Sequence, residues 1–132
     1  MAIFFVPQKG QVLLCNYDQA RVHPEMAKPR RAVVVSVRTY NVRHGGGAGR
    51  CIVVPFSVQP PVNPGPAIVA FPGSVYANLT LPTWAYCDTA QCVSHDRLDR
   101  VRVRGRNLSE SLSIVDIARI EDGLRHALGI EN

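Results

Sequence analysis

A titratable base, an acid and several fixed cations crowd into the stretch 17–31, which carries Asp18, Arg21, His23, Glu25, Lys28, Arg30 and Arg31 just ahead of the apolar run Val33, Val34, Val35. These are the groups that breaking a phosphodiester beside a 2′-hydroxyl requires. A base takes the hydroxyl proton, an acid protonates the leaving oxygen, and a cation meets the charge on the pentacoordinate phosphorus. Loops carried by a rigid scaffold are where such groups usually sit, although composition alone also fits a plain solvated loop. His23 is the preferred base over Glu25, because an unperturbed imidazole titrates at about 6.5, near working pH.

A second array stands at Arg100, Arg102, Arg104 and Arg106. On one strand, every second residue shares a face, so four guanidinium groups would form a ridge with Val101 and Val103 turned to the core. A phosphate track and a charged edge strand that blocks aggregation both fit that pattern. Cys87, Cys92 and His95 raise a zinc site, but the C-x4-C spacing is unusual and a fourth ligand would have to come from Cys15, Cys51 or a distant His. Buried, reduced thiols are the simpler reading, and no metal is assigned. Gly45, Gly46 and Gly47 lack the Lys-Ser/Thr pair and following helix that a phosphate-binding loop needs.

The elements that would hold these residues are mostly strands. Short β-type runs at 11–16, 31–38, 51–57, 67–71, 84–87, 90–94 and 100–104 alternate with turn-rich segments at 17–29, 44–49 and 59–66. Val33 to Val35 in an unbroken row marks a central strand buried on both faces. One helix closes the chain: Ser113 and Asp116 form a capping pattern, Ile117, Ile120, Leu124 and Leu128 share a face, and Gly129 stops it. The expectation is one domain over residues 1–132, with no internal repeat.

Fifteen Lys and Arg against ten Asp and Glu leave a formal charge of +5. Thirteen of the fifteen cations are Arg, whose planar fork grips phosphate at two points. From Glu110 onward there are five acids and two arginines, so the positive charge sits on the strands and not on the helix. An anionic partner such as nucleic acid is implied. No apolar run reaches the roughly 20 residues of a membrane helix, and Met1 to Pro7 is too short for a signal segment, so no membrane contact is expected and the location expected is cytoplasmic.

Several short blocks, taken in order, resemble a known family: Lys9-Gly10-Gln11-Val12, then Pro24-Glu25-Met26 with Lys28 and Arg30, then Ala32-Val33-Val34-Val35-Ser36. Ile52-Val53-Val54-Pro55-Phe56-Ser57 and Trp84-Ala85-Tyr86-Cys87-Asp88 follow, with Arg97-Leu98 beyond. Over about residues 8–100 the chain is similar to PemK/MazF toxins, in their branch with a Pro-Glu-Met loop. The resemblance implies a mainly β fold, an SH3-like small barrel with a C-terminal α-helix, and a homodimer pairing near strand 51–57 and the C-terminal region. It further implies an endoribonuclease that cuts single-stranded RNA with neither metal nor cofactor and is inhibited by a cognate antitoxin.

By the same resemblance Arg30 holds the phosphorane and Ser57, in the place of a threonine, orients the phosphate. His23 or Glu25 moves the protons, while Lys28, Arg31, Arg100, Arg102 and Arg104 bind RNA. The family's Arg-Pro pair reads Arg30-Arg31 here, and alternation along a strand should turn Arg31 away from the pocket that Arg30 shares with Ser57. A family arginine and aspartate after the Cys87-Asp88 block read Gln91 and Ser94. Either His23 and Glu25 supply the proton transfers, or the chain is a catalytically inactive barrel that binds RNA or a partner protein.

Overall fold

A computed structural model describes residues 2–17 and 29–130. Its centre is an eight-residue strand, β3 (Arg50–Ser57), sequence RCIVVPFS, buried along nearly its whole length. Antiparallel to it lies β2 (Arg30–Val34), with Ala32 opposite Pro55 and Val34 opposite Val53. β1 (Val12–Cys15) pairs with β2 from Val12↔Val33 to Cys15↔Arg30, so Val33 and Val34 do lie in a central strand, which ends there, short of the expected residue 38, with Val35 half-buried beyond it. On its other edge β3 changes partner. Arg50 to Val53 pair with β6 (Gln91–Ser94), whereas Phe56 and Ser57 pair with β5 (Thr83–Tyr86), which in turn pairs with β4 (Ile68–Phe71). Pro55, which has no N–H to donate, sits in the changeover. A short β7 (Leu98–Asp99) continues the sheet beyond β1. The fold is the mainly β, SH3-like barrel with one C-terminal helix that the sequence implies.

Alternation along the strands sorts the core into two clusters. Val12, Val33, Val54, Phe56, Phe71 and Ile120 form one, against the helix; Leu13, Cys15, Ala32, Val34, Val53 and Leu98 form the other. Each fully buried Val or Leu contributes about 1.5–3 kcal/mol. The helix α1 (Ile114–Leu128) begins where Ser113 Oγ accepts from the Asp116 N–H and ends on Gly129 at φ +70°. Ile117, Ile120 and Leu124 face the core, but Leu128 is exposed. Close approach to the barrel depends on Gly123, where a Cβ would lie 2.8 Å from Cys87 Sγ. No helix among the described residues is long and apolar enough to cross a membrane.

Two expectations need correction. The arginine ridge at 100–106 is not one strand but a hairpin of β8 (Arg102–Val103) and β9 (Arg106–Asn107). Arg104 and Gly105 both take positive φ, +54° and +77°, and fold the chain back in two residues, so Val101 is buried while Val103 is 43% exposed. The cysteines also differ: all four are free, but Cys92 is exposed and Cys87 packs in the helix-side cluster, apart from Cys15 and Cys51. Among the described residues no three His, Cys, Asp or Glu side chains gather as a metal site would.

His95 is wholly buried beside β6, and its Nδ1 accepts from the Gly49 N–H at 3.2 Å, which places the ring proton on Nε2. Burial and the charge of Arg43 hold its pKa below the usual 6.5, against the opposing pull of the Asn41 backbone and Asp96. The folded state therefore favours neutral imidazole, and that stability is complete above the unfolded pKa and lost as pH falls through the folded value. Urea unfolding should show a lower midpoint at about pH 5 than at about pH 7.5, and a smaller drop in His95→Gln. Equal drops in the two proteins would remove His95 as the cause.

Candidate active site

Strand pairing brings Arg30 and Ser57 together. Continuing the β2–β3 register two residues past Ala32↔Pro55 sets Arg30 across from Ser57 at the end of both strands. They share the sheet face that carries Cys15, Ala32 and Val53. Ser57 also pairs with Trp84 on its other side. Both Arg30 and Ser57 line a cavity of about 250 Å³. Ser57 is 7% exposed and its Oγ accepts from the Gln59 N–H at 3.2 Å, leaving its own proton to donate. Among the described residues Arg30 Nε is buried without a hydrogen-bond partner, an unusual state for a guanidinium donor.

Two phenols stand near this arginine. Burial raises the pKa of Tyr17, as do Cys15 and Cys51, with the Arg30 charge opposing. Burial also raises Tyr86, as does Asp88, again with Arg30 opposing. Tyr86 donates its O–H to the Gln59 carbonyl at 2.8 Å, which fixes the turn that follows Ser57. Both phenols are therefore neutral near pH 7 and not bases; Tyr86 is the one with a donated hydrogen bond among the described residues.

Alternation alone predicts that Arg31 faces away, but Arg31 lines the same cavity. The reason is the crossing segment between β4 and β5, which covers the opposite face of β2 and lets the cavity wrap round the strand end. There Arg31 Nε donates to Asn78 Oδ1 at 3.2 Å. Asn78 in turn donates through Nδ2 and its backbone N–H to Glu110 Oε1, at 2.9 and 2.8 Å, and the Ala77 N–H donates to Oε2. Burial raises the Glu110 pKa, yet these hydrogen bonds outweigh it and hold the carboxyl below its ordinary value. Leu14, Phe56, Leu79 and Leu81 complete an apolar wall. Asn78 and Glu110 carry no periodicity or motif that singles them out; only the fold joins them.

The remaining predicted residues do not join this cavity among the described residues. His23, Glu25 and Lys28 lie outside the described residues, although Pro29, which follows them, is at the cavity rim. Arg100, Arg102 and Arg104 do not line this cavity; Arg100 stacks over Phe5 with its Cζ 4.8 Å from the ring centre. Gln91 is exposed, and Ser94 Oγ is spent as a cap that accepts from the Asp96 N–H. Cys87 is no nucleophile, since burial pushes its thiol up to about 11.

Residues 8–128 match the family described as PemK-like, MazF-like toxin of type II toxin-antitoxin system, and the chain belongs to that family. It is similar to YifN of Escherichia coli strain K12, 33% identical over 144 residues, spanning 90% of this chain and 91% of that protein. Among solved structures, MazF from Deinococcus radiodurans superposes with a TM-score of 0.64 at 23% identity, over 95% of this chain and 98% of that one. A mycobacterial endoribonuclease in complex with its cognate antitoxin gives 0.65 at 19% identity, over 96% and 98%. At those identities the structural likeness concerns the fold.

The Arg31–Asn78–Glu110 chain yields a stability test. Asn78→Ala strands the Arg31 donor and removes one donor from a part-buried carboxylate, at a cost of about 1–3 kcal/mol. Chemical denaturation should register that loss; a variant as stable as the parent would show that the cavity wall does not depend on these bonds.

Proposed function

We propose that this chain is a toxin-type endoribonuclease that cuts single-stranded RNA without a metal ion and is inhibited by a cognate antitoxin. The observation that carries the proposal is the meeting of Arg30 and Ser57 at the ends of neighbouring strands, beside a cavity, with a buried guanidinium N–H unpartnered among the described residues. A related mycobacterial protein is described as an endoribonuclease bound to its antitoxin, and MazF of Deinococcus radiodurans as a complex with MazE.

In the mechanism, the 2′-hydroxyl attacks the adjacent phosphorus as a base withdraws its proton. One of His23 and Glu25 serves as base and the other gives a proton to the 5′-oxygen of the next nucleotide, which leaves as the P–O5′ bond breaks and the 2′,3′-cyclic phosphate closes. Arg30 Nε lies against the equatorial oxygens, where negative charge grows, and Ser57 Oγ donates to a non-bridging oxygen. Lys28 and Arg31 hold flanking phosphates. Preorganised donors of this kind act on the transition state, because they are already aimed when charge develops. No step calls for a metal, since the fixed cation is supplied by arginine. A homodimer fits this reading; β3 has both edges paired and is buried, so contact between copies falls on other surfaces, such as the exposed Ile114, Val115 and Leu128 of α1.

One observation favours a second reading, an inactive barrel that binds RNA or a partner. With Gln91 exposed and Ser94 used as a cap, neither supplies the guanidinium and carboxylate that the family resemblance leads one to expect there. Incubation with labelled single-stranded RNA in EDTA separates the two. Cleavage should persist in EDTA, fall about 10²- to 10³-fold in Arg30→Ala, and fall much less in Arg31→Ala, with the fold kept in each. Equal losses in the two variants would reject Arg30 as the phosphorane donor, and no cleavage by the parent would leave the inactive barrel.

A further inference from the structure

On a different part of the barrel, the N-terminal segment and the β8–β9 hairpin enclose a groove of about 730 Å³. Phe4, Phe5, Arg100 and Arg102 line it. Phe4 is 80% exposed, an unusual state for a phenyl ring with a core available beneath it. The Arg43 guanidinium lies 5.5 Å from its centre and is anchored by an Nη1 bond to the Ile3 carbonyl at 3.1 Å. Phe5 is matched by Arg100 at 4.8 Å. Two aromatic rings in succession are thus each paired with a cation.

The charge around them is lopsided. Arg102, Arg104 and Arg106 on the hairpin are all exposed, and among the described residues none of the three ion pairs involves them. The acid on the groove wall is Asp99, one of whose oxygens accepts from the Arg100 N–H at 2.8 Å. Arg100 and Arg102 on the groove wall therefore stand against one carboxylate, with Arg104 and Arg106 on the same hairpin and Arg43 beside Phe4. The hairpin turn at Arg104-Gly105 spreads these cations over a loop instead of a flat strand edge.

We infer that this groove is a second binding site for single-stranded RNA, in which the exposed Phe4 stacks a base over a wall formed by the half-buried Phe5 while Arg43, Arg100 and Arg102 take the phosphates. Cations alone would suit any polyanion, including an acidic peptide. An exposed ring at Phe4 beside a half-buried one at Phe5, each next to an arginine, favours a nucleic acid, because each base brings a π-face and each nucleotide a phosphate. The site reads no sequence: stacking and phosphate contacts tolerate any base. It lies apart from the Arg30 cavity, so it adds hold on the substrate strand without touching the reacting phosphate. The inference rests on the endoribonuclease reading for its substrate class.

The test uses the full chain and a fluorescein-labelled 2′-O-methyl oligouridylate, which cannot be cut, followed by anisotropy over a salt series. Phe4→Ala should weaken binding about tenfold. Phe4→Trp should restore it and Phe4→Leu should not, which separates stacking from apolar contact; the exposure of Phe4 keeps all three variants folded. Arg102→Ala should flatten the slope of affinity against salt by about 0.7 on logarithmic axes, one phosphate contact. Native affinity in Phe4→Ala, or rescue by Phe4→Leu as full as by Phe4→Trp, would overturn the site. A polyglutamate peptide that binds more tightly than RNA and is lost in Phe4→Ala would overturn it in favour of an acidic protein partner. If the parent cuts unmodified RNA but Phe4 is indifferent, this inference alone falls; if the parent neither binds nor cuts RNA, the endoribonuclease reading falls with it.

Discussion

The fold turns on one strand that must satisfy three neighbours. β3 gives one edge to β2 and divides the other between β6 and β5, while its side chains fill a core on each face. A strand so constrained has no freedom of register: a slip of one residue would exchange its two faces and expose Val53 or Val54. Pro55 fits because it stands at the changeover, where a missing N–H does least harm. The same geometry delivers Ser57 to the strand end at a fixed height, against the first residue of β2. The positions of Arg30 and Ser57 are therefore consequences of backbone pairing, settled before any ligand arrives.

Two adjacent arginines at that strand end illustrate how one sequence feature serves two purposes. Arg31 is clasped by Asn78, which Glu110 secures, so its planar group is held by a neutral acceptor and its charge stays available. Among the described residues Arg30 keeps a buried donor free. A carboxylate beside either one would neutralise it and lower its use to an incoming phosphate. Among the described residues the ion pairs lie instead along the helix and at Lys9 with Glu121, away from the cavity.

Much of this was legible in the sequence. The valine row, the Ser113 cap and the Gly129 stop are local signals with local causes, and each appears where its chemistry puts it. Arg30 and Ser57 could be paired only through resemblance, because no spacing rule joins residues on separate strands. The hairpin at 102–107 escapes the alternation rule because Arg104 and Gly105, both at positive φ, turn the chain in the middle of the arginine pattern. Asn78 and Glu110 were invisible, being single polar residues that acquire a partner only when distant segments meet. The groove at Phe4 and Phe5 was hidden for the same reason, since its rings and its arginines lie at opposite ends of the barrel sequence.

The central claim is chemical: fixed arginine and hydroxyl donors, with no metal, drive attack by the substrate's own 2′-hydroxyl. The most direct measurement is the identity of the ends left on a single-stranded RNA cut by the full chain in EDTA, alongside the same strand carrying deoxyribose at the cleaved position. The account predicts a 5′-hydroxyl on one fragment, a 2′,3′-cyclic phosphate on the other, and no cutting at the deoxyribose. A 5′-phosphate product, or equal cutting of the deoxy strand, would contradict it.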